Sequence, residues 1–361
     1  METLQTIPQL SRRRMAKLHL DPVQSARSID LVYITDAAAG IQRHRRGKAF
    51  SYTYKEKRVS DKAIIARIRK LAIPPAWQNV WICWQENGHI QATGFDARNR
   101  KQYRYHPMWS ELRRETKFQH LLDFGRQLPA LRLQLEKDVA SRELNEKKVV
   151  ATVISLMERS YIRIGNEKYE KENGSFGLTT LKDQHVAVEG GTVKFAFKGK
   201  KGIFHNITLK NKKLAKIVKE CRDIPGKELF QYYDQNGQRQ SIDSGMVNRY
   251  IKEVAGDAFS AKDFRTWAGS LAMLRAFHSM EKAIAEKERK SNVLKALDAV
   301  SLQLGNTRTV CRKYYVHPGI IEKYTASQLD KYLSQLNDIE KNDNKSGYTQ
   351  EEALLLKILG G

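Results

Sequence analysis

Cysteine is scarce in this sequence: among 361 residues there are three, Cys83, Cys221 and Cys311. Their separation excludes a C-x-x-C metal or redox motif and fits free thiols in a reducing compartment. The nine histidines form neither H-E-x-x-H nor a Cys/His cluster, so no dedicated metal site is expected. A G-x-x-x-x-G-K-[ST] loop is also missing, which excludes nucleotide binding of that kind. No run of 18 apolar residues is present, and Arg12, Arg13 and Arg14 precede no apolar leader core, so the reading is a soluble, cytoplasmic protein without a membrane partner. Internal repeats are absent. Acid is the last thing in short supply, with 40 Asp and Glu against 64 Lys and Arg and a formal net charge of +24.

Such an excess repels itself in a folded chain unless a polyanion lies against it, and nucleic acid is the default partner. With 41% hydrophobic residues the chain can build proper cores, and its length allows two or three domains. Residues 1–27 read as a basic arm. Ile29 to Ile34 suggests a strand. From Ile41 to Ala72 eleven Lys or Arg face Glu56 and Asp61, a local net of +9. Within that tract Phe50–Tyr54 alternates as a strand does, and Asp61–Leu71 places Ile64, Ile65 and Ile68 on one helical face. Basic residues interleaved with aromatics suit a surface that tracks phosphates.

Trp77–Trp84 and His89–Gly94, joined through Asn87-Gly88, predict a hairpin. Beyond it, Lys101 and Gln102 have the chemistry to read base edges, while Tyr103, Arg104 and Tyr105 suit stacking or phosphate contact. Near residues 114–118 the pattern turns from strands to helices, which sets a domain boundary. Apolar spacing gives a helix over 118–136 that Gly125 and Pro129 should break or kink, then another over 145–162 stopped by Gly165. Phe176–Leu181, Val186–Val188, Thr192–Phe197 and Phe204–Leu209 predict a small antiparallel sheet whose basic tip, Lys198-Gly199-Lys200-Lys201-Gly202, reaches outward. Asp263 is the expected N-cap of a helix from Phe264, which puts Arg265 in the first turn, a natural phosphate seat. Residues 281–292 read as a charged helix or linker, and Val293–Leu304 as an apolar helix. Pro318-Gly319 is a break, followed by helices at 327–339 and 349–359 around a polar linker at 342–347.

Between these lies Leu304-Gly305-Asn306-Thr307-Arg308-Thr309-Val310-Cys311-Arg312-Lys313-Tyr314-Tyr315, two phenols beside two cations. An unperturbed phenol, with a pKa near 10, is about a thousandth ionised at pH 7. Cations set against both the phenol and a phosphate would favour the phenolate and stabilise the charge that builds in the transition state of its attack.

Arg163 in RIGNEKY, the FKGKKG hairpin, Arg265 in KDFRTWAGS and the LGNTRTVCRKYY stretch, taken in that order, resemble the type IB DNA topoisomerases of the short branch found in bacteria and poxviruses. IPPAWQNVWI and GFDARNRKQYRYHP resemble the same family's DNA-clamping domain, and the likeness spans about residues 28–320. The resemblance implies an α+β chain: a small N-terminal β-sheet domain, then a larger, mainly helical catalytic domain carrying a small hairpin sheet. With the pattern of the chain it sets expected boundaries at 1–27, 28–115, 116–326 and a helical tail at 327–361. It further implies Tyr315 rather than Tyr314 as nucleophile, Arg163 and Arg265 on the scissile phosphate, and Lys200 as the acid that protonates the leaving 5′ oxygen. Asn306 stands where many relatives carry a histidine. Gln102, Tyr103 and Tyr105 match DNA-contacting positions, and Tyr169 a position near the active site; for Lys101 and Arg104 beside them, chemistry alone suggests DNA contact. Double-stranded DNA is the implied partner of a nucleoid-associated monomer, with no cofactor. A tyrosine recombinase would use the same Arg, Lys and Tyr set, and an architectural DNA-binding protein would use the charge without the chemistry.

Overall fold

The computed structural model describes residues 21–47, 49–97, 99–336 and 346–360. Most of the expected basic arm at 1–27 lies outside them, as does most of the polar linker at 342–347. The chain divides into a first unit ending at His120 and a second beginning at Leu121.

The first unit opens with helix α1 Pro22–Arg27, capped by Asp21, whose carboxylate accepts from the amides of Val23 and Gln24. Its centre is a six-stranded antiparallel sheet in the order β3-β2-β1-β4-β5-β6, built from β1 Ile41–Arg46, β2 Ala49–Tyr54, β3 Lys57–Arg58, β4 Gln78–Ile82, β5 Ile90–Phe95 and β6 Lys101–Tyr105. Helix α2 Lys62–Lys70 is capped by Asp61, which takes the Ala63 amide at 2.7 Å. It lays Ile64 and Ile68 on Ile41, Val80, Ile82 and Ala92 of the sheet. Full burial of a side chain such as Ile68 contributes about 1.5–3 kcal/mol. The strand expected at Ile29–Ile34 does not form. Asp30 adopts a left-handed φ of 55°, which ends the extended run, and Ile29 and Leu31 turn in to pack on Trp109 and Leu112.

Helix α3 Pro107–Val139 runs unbroken through Gly125 and Pro129, against the expected kink. Pro129 removes one backbone donor, but Leu121, Phe124, Leu128, Leu131 and Leu135 are all buried on one side, so tertiary packing overrides the local penalty. Gly125 has a separate reason to be glycine. A Cβ there would lie 2.4 Å from the ring of Trp267.

The second unit is mainly helical, which confirms the α+β reading. Helix α4 Glu146–Ser160, capped by Asn145, is buried along nearly its whole length. It stops at Tyr161, in a left-handed conformation (φ 57°), four residues before the expected Gly165. After α5 Glu167–Asn173 comes a three-stranded antiparallel sheet of β7 Val186–Glu189, β8 Thr192–Lys198 and β9 Phe204–Lys210. Phe176–Leu181 is not one of its strands and holds a single 3-10 turn instead. Then follow α6 Lys212–Arg222, the ribbon β10 Gln231–Tyr233 with β11 Arg239–Ser241, and α7 Ser244–Ala255.

Helix α8 Ala261–His278 is the central and most buried helix of this unit. It begins earlier than the sequence suggested: Ser260 is the N-cap, and Asp263 sits one turn in, accepting from the Ser260 amide at 2.8 Å. Arg265 is therefore beyond the first turn, and the free amides of the helix start do not share its seat. Around α8 pack α9 Glu286–Leu304, α10 Arg308–Tyr314, α11 Pro318–Thr325, α12 Asp330–Leu333 and α13 Gln350–Gly360. Pro318 starts α11 at its first position, where a missing N–H costs nothing. Leu354, Leu355 and Ile358 of α13 lie in the same core as α4 and α8. Buried ion pairs fasten α13: Glu352 accepts from Arg132 at 2.6 Å and from the Trp267 indole at 3.2 Å, and Glu351 accepts from Arg275 at 2.6 Å. All three cysteines are buried. Among the described residues no helix is long and apolar enough to cross a membrane.

Candidate active site

Four stretches far apart in sequence meet in the second unit. The end of α4 delivers Tyr161 and Arg163, the β8–β9 hairpin delivers Lys200, α8 delivers Arg265, and the segment after α9 delivers Asn306 and Tyr315.

Arg265 is the most deeply placed, with 6% of its surface exposed. One terminal nitrogen donates to the carbonyl of Tyr161 and the other to that of Leu304 at 2.7 Å. Its Nε is buried with no hydrogen-bond partner. The left-handed turn at Tyr161 aims that carbonyl inward, a local strain of the kind that accumulates at functional sites. Arg163 donates through one nitrogen to the Asn306 side-chain oxygen at 2.6 Å and to the Gly305 carbonyl at 3.3 Å. Asn306 returns a donor to the Leu304 carbonyl at 3.3 Å, so both arginines are tied to one tight turn. That turn needs Gly305, whose φ is +56°.

Tyr315 caps the end of α10, its amide held by the Cys311 carbonyl at 2.9 Å. Two contacts fix the height of its backbone. Gly269 of α8 approaches so closely that a Cβ there would lie 2.4 Å from the Tyr315 carbonyl oxygen. Ser270 Oγ accepts from the His317 amide at 3.1 Å. Arg308, paired with Asp298 at 2.7 and 2.6 Å, fastens the start of α10 to α9. The Arg265 guanidinium carbon stands 5.2 Å from the Tyr315 ring centroid, and both arginines lie in hydrogen-bond reach of the phenol. Tyr314 instead faces outward, 44% exposed, with Lys313 over its ring.

The electrostatics follow from this crowding. Burial, then the charge of Arg163, pulls Arg265 down to about 10, still cationic at neutral pH. Burial likewise lowers Arg163. Lys200 lies at the exposed hairpin tip, yet desolvation, followed by the repulsion of Arg163, lowers its ammonium pKa. Among the described residues, none of the ion pairs involves Arg163, Lys200 or Arg265. Three cations that meet carbonyls, an amide and a phenol, but no carboxylate, form a seat for an anion. His205 on β9, lowered by burial and by both arginines, joins the cluster and was not singled out from the sequence. Neither was the carbonyl of Tyr161. Nothing local marks either one: His205 reaches the turn at Gly305 a hundred residues away, and a carbonyl carries no residue identity.

Tyr169, on α5, is 53% exposed, and the Lys200 ammonium stands 6.0 Å from its ring centroid. The remaining residues with expected DNA contacts, Lys101, Gln102, Tyr103, Arg104 and Tyr105, form the edge strand β6 of the first unit. The rings of Tyr103 and Tyr105 are stacked 5.9 Å apart and each is 44% exposed. Lys101 pairs with Asp36 at 2.5 Å, the Gln102 amide donates to Asp96 at 2.9 Å, and Arg104 donates to the Ala72 carbonyl at 2.9 Å.

Residues 107–343 match the family model described as the catalytic core of eukaryotic DNA topoisomerase I, and residues 49–96 match that of the N-terminal domain of bacterial DNA topoisomerase IB. DNA topoisomerase 1B of Acanthamoeba polyphaga mimivirus is 34% identical over 294 residues, covering 79% of this chain and 87% of the viral protein. DNA topoisomerase 1B of Vaccinia virus (strain Copenhagen) is 22% identical over 231 residues, 63% of this chain and 70% of the relative. DNA topoisomerase 1 of Schizosaccharomyces pombe is 27% identical over 209 residues, 57% of this chain and 24% of the yeast protein. With the catalytic-core model matching well over half of the chain and both models falling in chain order, the chain belongs to the family of type IB DNA topoisomerases.

Proposed function

We propose that this topoisomerase relaxes supercoiled duplex DNA through Tyr315, which attacks a backbone phosphate and becomes its 3′ ester while a 5′ hydroxyl departs. The observation that carries the reading is the convergence of Arg163, Lys200 and Arg265 on Tyr315 with no carboxylate paired to them among the described residues. Arg265, anchored by two carbonyls and with Nε still open, suits one non-bridging oxygen, and Arg163 the other. Both favour the phenolate and the pentacoordinate charge. Lys200 protonates the leaving 5′ oxygen, and a lowered ammonium pKa makes it a better acid at neutral pH. Asn306 orients Arg163 and retains one N–H to offer. The arginines and the lysine supply the charge that metal ions bring to other phosphoryl transfers.

One phosphodiester is exchanged for another of similar energy, so rejoining draws on no nucleotide and the cycle needs no metal. Between the two steps the free end rotates. In this reading residues 28–115 grip the duplex through Lys101, Gln102, Tyr103, Arg104, Tyr105 and the basic tract. Residues 116–326, with Tyr169 beside the site, carry the chemistry, and 327–361 support them. A single chain suffices, working in the cytoplasm on the nucleoid.

The test is relaxation of one supercoiled plasmid in EDTA without ATP, with a denaturant trap for the covalent adduct. Wild type and Tyr314→Phe should relax the plasmid and give the adduct, whereas Tyr315→Phe should bind DNA and give none. An adduct formed by Tyr315→Phe refutes the nucleophile assignment, and a requirement for paired sites would favour strand exchange instead.

A further inference from the structure

His205 has no part in the chemistry just described, yet its ring occupies the joint between two segments that carry it. On β9 it pairs with Phe197 of β8 and stacks on that buried ring, 5.1 Å between centroids at 25°. The far edge of the imidazole enters a slot between two glycines. A Cβ on Gly199 would lie 2.5 Å from Cδ2 and 2.6 Å from Nε2 of the ring. A Cβ on Gly305 would lie 2.7 Å from Cε1 and 3.4 Å from Nε2. Gly199 immediately precedes Lys200, and Gly305 immediately precedes Asn306 and lends its carbonyl to Arg163.

Gly199 has an ordinary φ of −91°, open to any residue, so the space taken by the ring, rather than the backbone, accounts for glycine there. The hairpin itself is closed by its own bonds, Gly199 amide to Ile203 carbonyl at 2.7 Å and Gly202 amide to Gly199 carbonyl at 3.0 Å. Those bonds shape the loop without fixing where it sits against the turn at Gly305. The stacked ring, in contact with both, supplies that. Burial and the two arginines hold the imidazole below its ordinary pKa, so it adds no like charge to a cluster already rich in cations.

We infer that His205 is a positioning residue that sets the Lys200 hairpin in register with the Gly305–Asn306 turn and so places the general acid over the leaving oxygen. The inference rests on the reading of Lys200 as that acid. Misplacement of a catalytic group by about 1 Å costs on the order of a hundredfold, and the loss should fall on the proton-transfer part of the step alone.

The experiment is single-turnover cleavage of two duplexes that differ in one atom, an oxygen or a sulfur at the scissile 5′ bridge. A thiol, with a pKa near 8.5, leaves without a proton, so the sulfur duplex bypasses the acid. Lys200→Ala should be slow on oxygen and near wild type on sulfur. His205→Ala should follow the same split, about a hundredfold slower on oxygen and within a few-fold of wild type on sulfur, with unchanged DNA affinity and Tm. Gly199→Ala, which pushes the ring from the other side, should reproduce it. The double variant should be no slower than His205→Ala, because removing the ring also removes the clash.

Equal slowing of His205→Ala on both duplexes makes the residue merely structural, and wild-type rates on oxygen make it irrelevant; either overturns the inference. Lack of sulfur rescue in Lys200→Ala overturns the acid assignment first, and the positioning role with it.

Discussion

In the proposed mechanism Arg265 and Lys200 serve one phosphate from opposite kinds of ground. Arg265 is sunk in the central helix of the unit, both terminal nitrogens held by carbonyls, and it moves only if that helix moves. Lys200 stands on a hairpin tip, beside a residue of positive φ, Lys201 at 64°, with the His205 ring packed behind the preceding Gly199. A group that must stabilise charge gains from being immobile, since nothing has to reorganise when the charge appears. A group that must hand over a proton and take it back needs freedom to travel the short path between the two states. The proposed site thus combines a rigid seat with a movable acid.

The sharpest way to break that contrast is at the seat. Arg265→Ala should lower the single-turnover cleavage rate about a hundred- to a thousandfold on the oxygen and the sulfur duplex alike. Sulfur rescue would show that Arg265 acts through the acid and would erase the distinction. Arg265→Lys should recover little, because one ammonium cannot span the Tyr161 and Leu304 carbonyls and still face the phosphate.

A second prediction attacks the seat from behind. Trp267 and Arg275 of α8 are tied to Glu352 and Glu351 of α13, and Arg275 also donates to the Tyr161 phenol at 3.4 Å. Glu352→Ala leaves the buried Arg132 short of its bidentate partner and should cost about 3–5 kcal/mol of stability, read as a lower urea midpoint of the second unit. An unchanged midpoint would mean that α13 contributes nothing to holding α8.

The smallest effect is expected at the tip. Lys201 is exposed and left-handed, so Lys201→Gly should change the cleavage rate less than threefold and shift stability by no more than about 1 kcal/mol, because relief of the left-handed backbone is offset by the greater freedom of glycine in the unfolded chain. A loss as large as that of Lys200→Ala would move the acid to Lys201.

Local chemistry made much of this legible before any coordinates. Asp61 and Asn145 announce the starts of their helices, the alternation of Phe50–Tyr54 gives its strand, and the Arg, Lys, Arg, Tyr order picks out the family. Where the reading failed, a distant partner had decided. Pro129 sits in an unbroken helix because Leu128 and Leu131 beside it are buried. Asp263 looked like a cap because the true cap, Ser260, differs from it by a single turn and bonds to it. Ile29–Ile34 is apolar enough for a strand, but Trp109 and Leu112 claim its side chains. The turn that positions Arg265 rests on the strained backbone of Tyr161, which no residue type advertises, and the role of His205 depends on two glycines that are ordinary turn residues until seen against the ring.

The three buried cysteines carry a practical consequence. Burial raises each thiol, Cys311 to about 11 and Cys221 to about 12, so none reacts readily with a maleimide in the folded state. Their labelling rates therefore report transient opening of three separate places: Cys83 the N-terminal sheet, Cys221 helix α6, and Cys311 the turn of helix just before Tyr315. DNA that engages Tyr315 should slow the third clock and leave the second running at its own pace, so the chain carries a native gauge of when its active site unlatches.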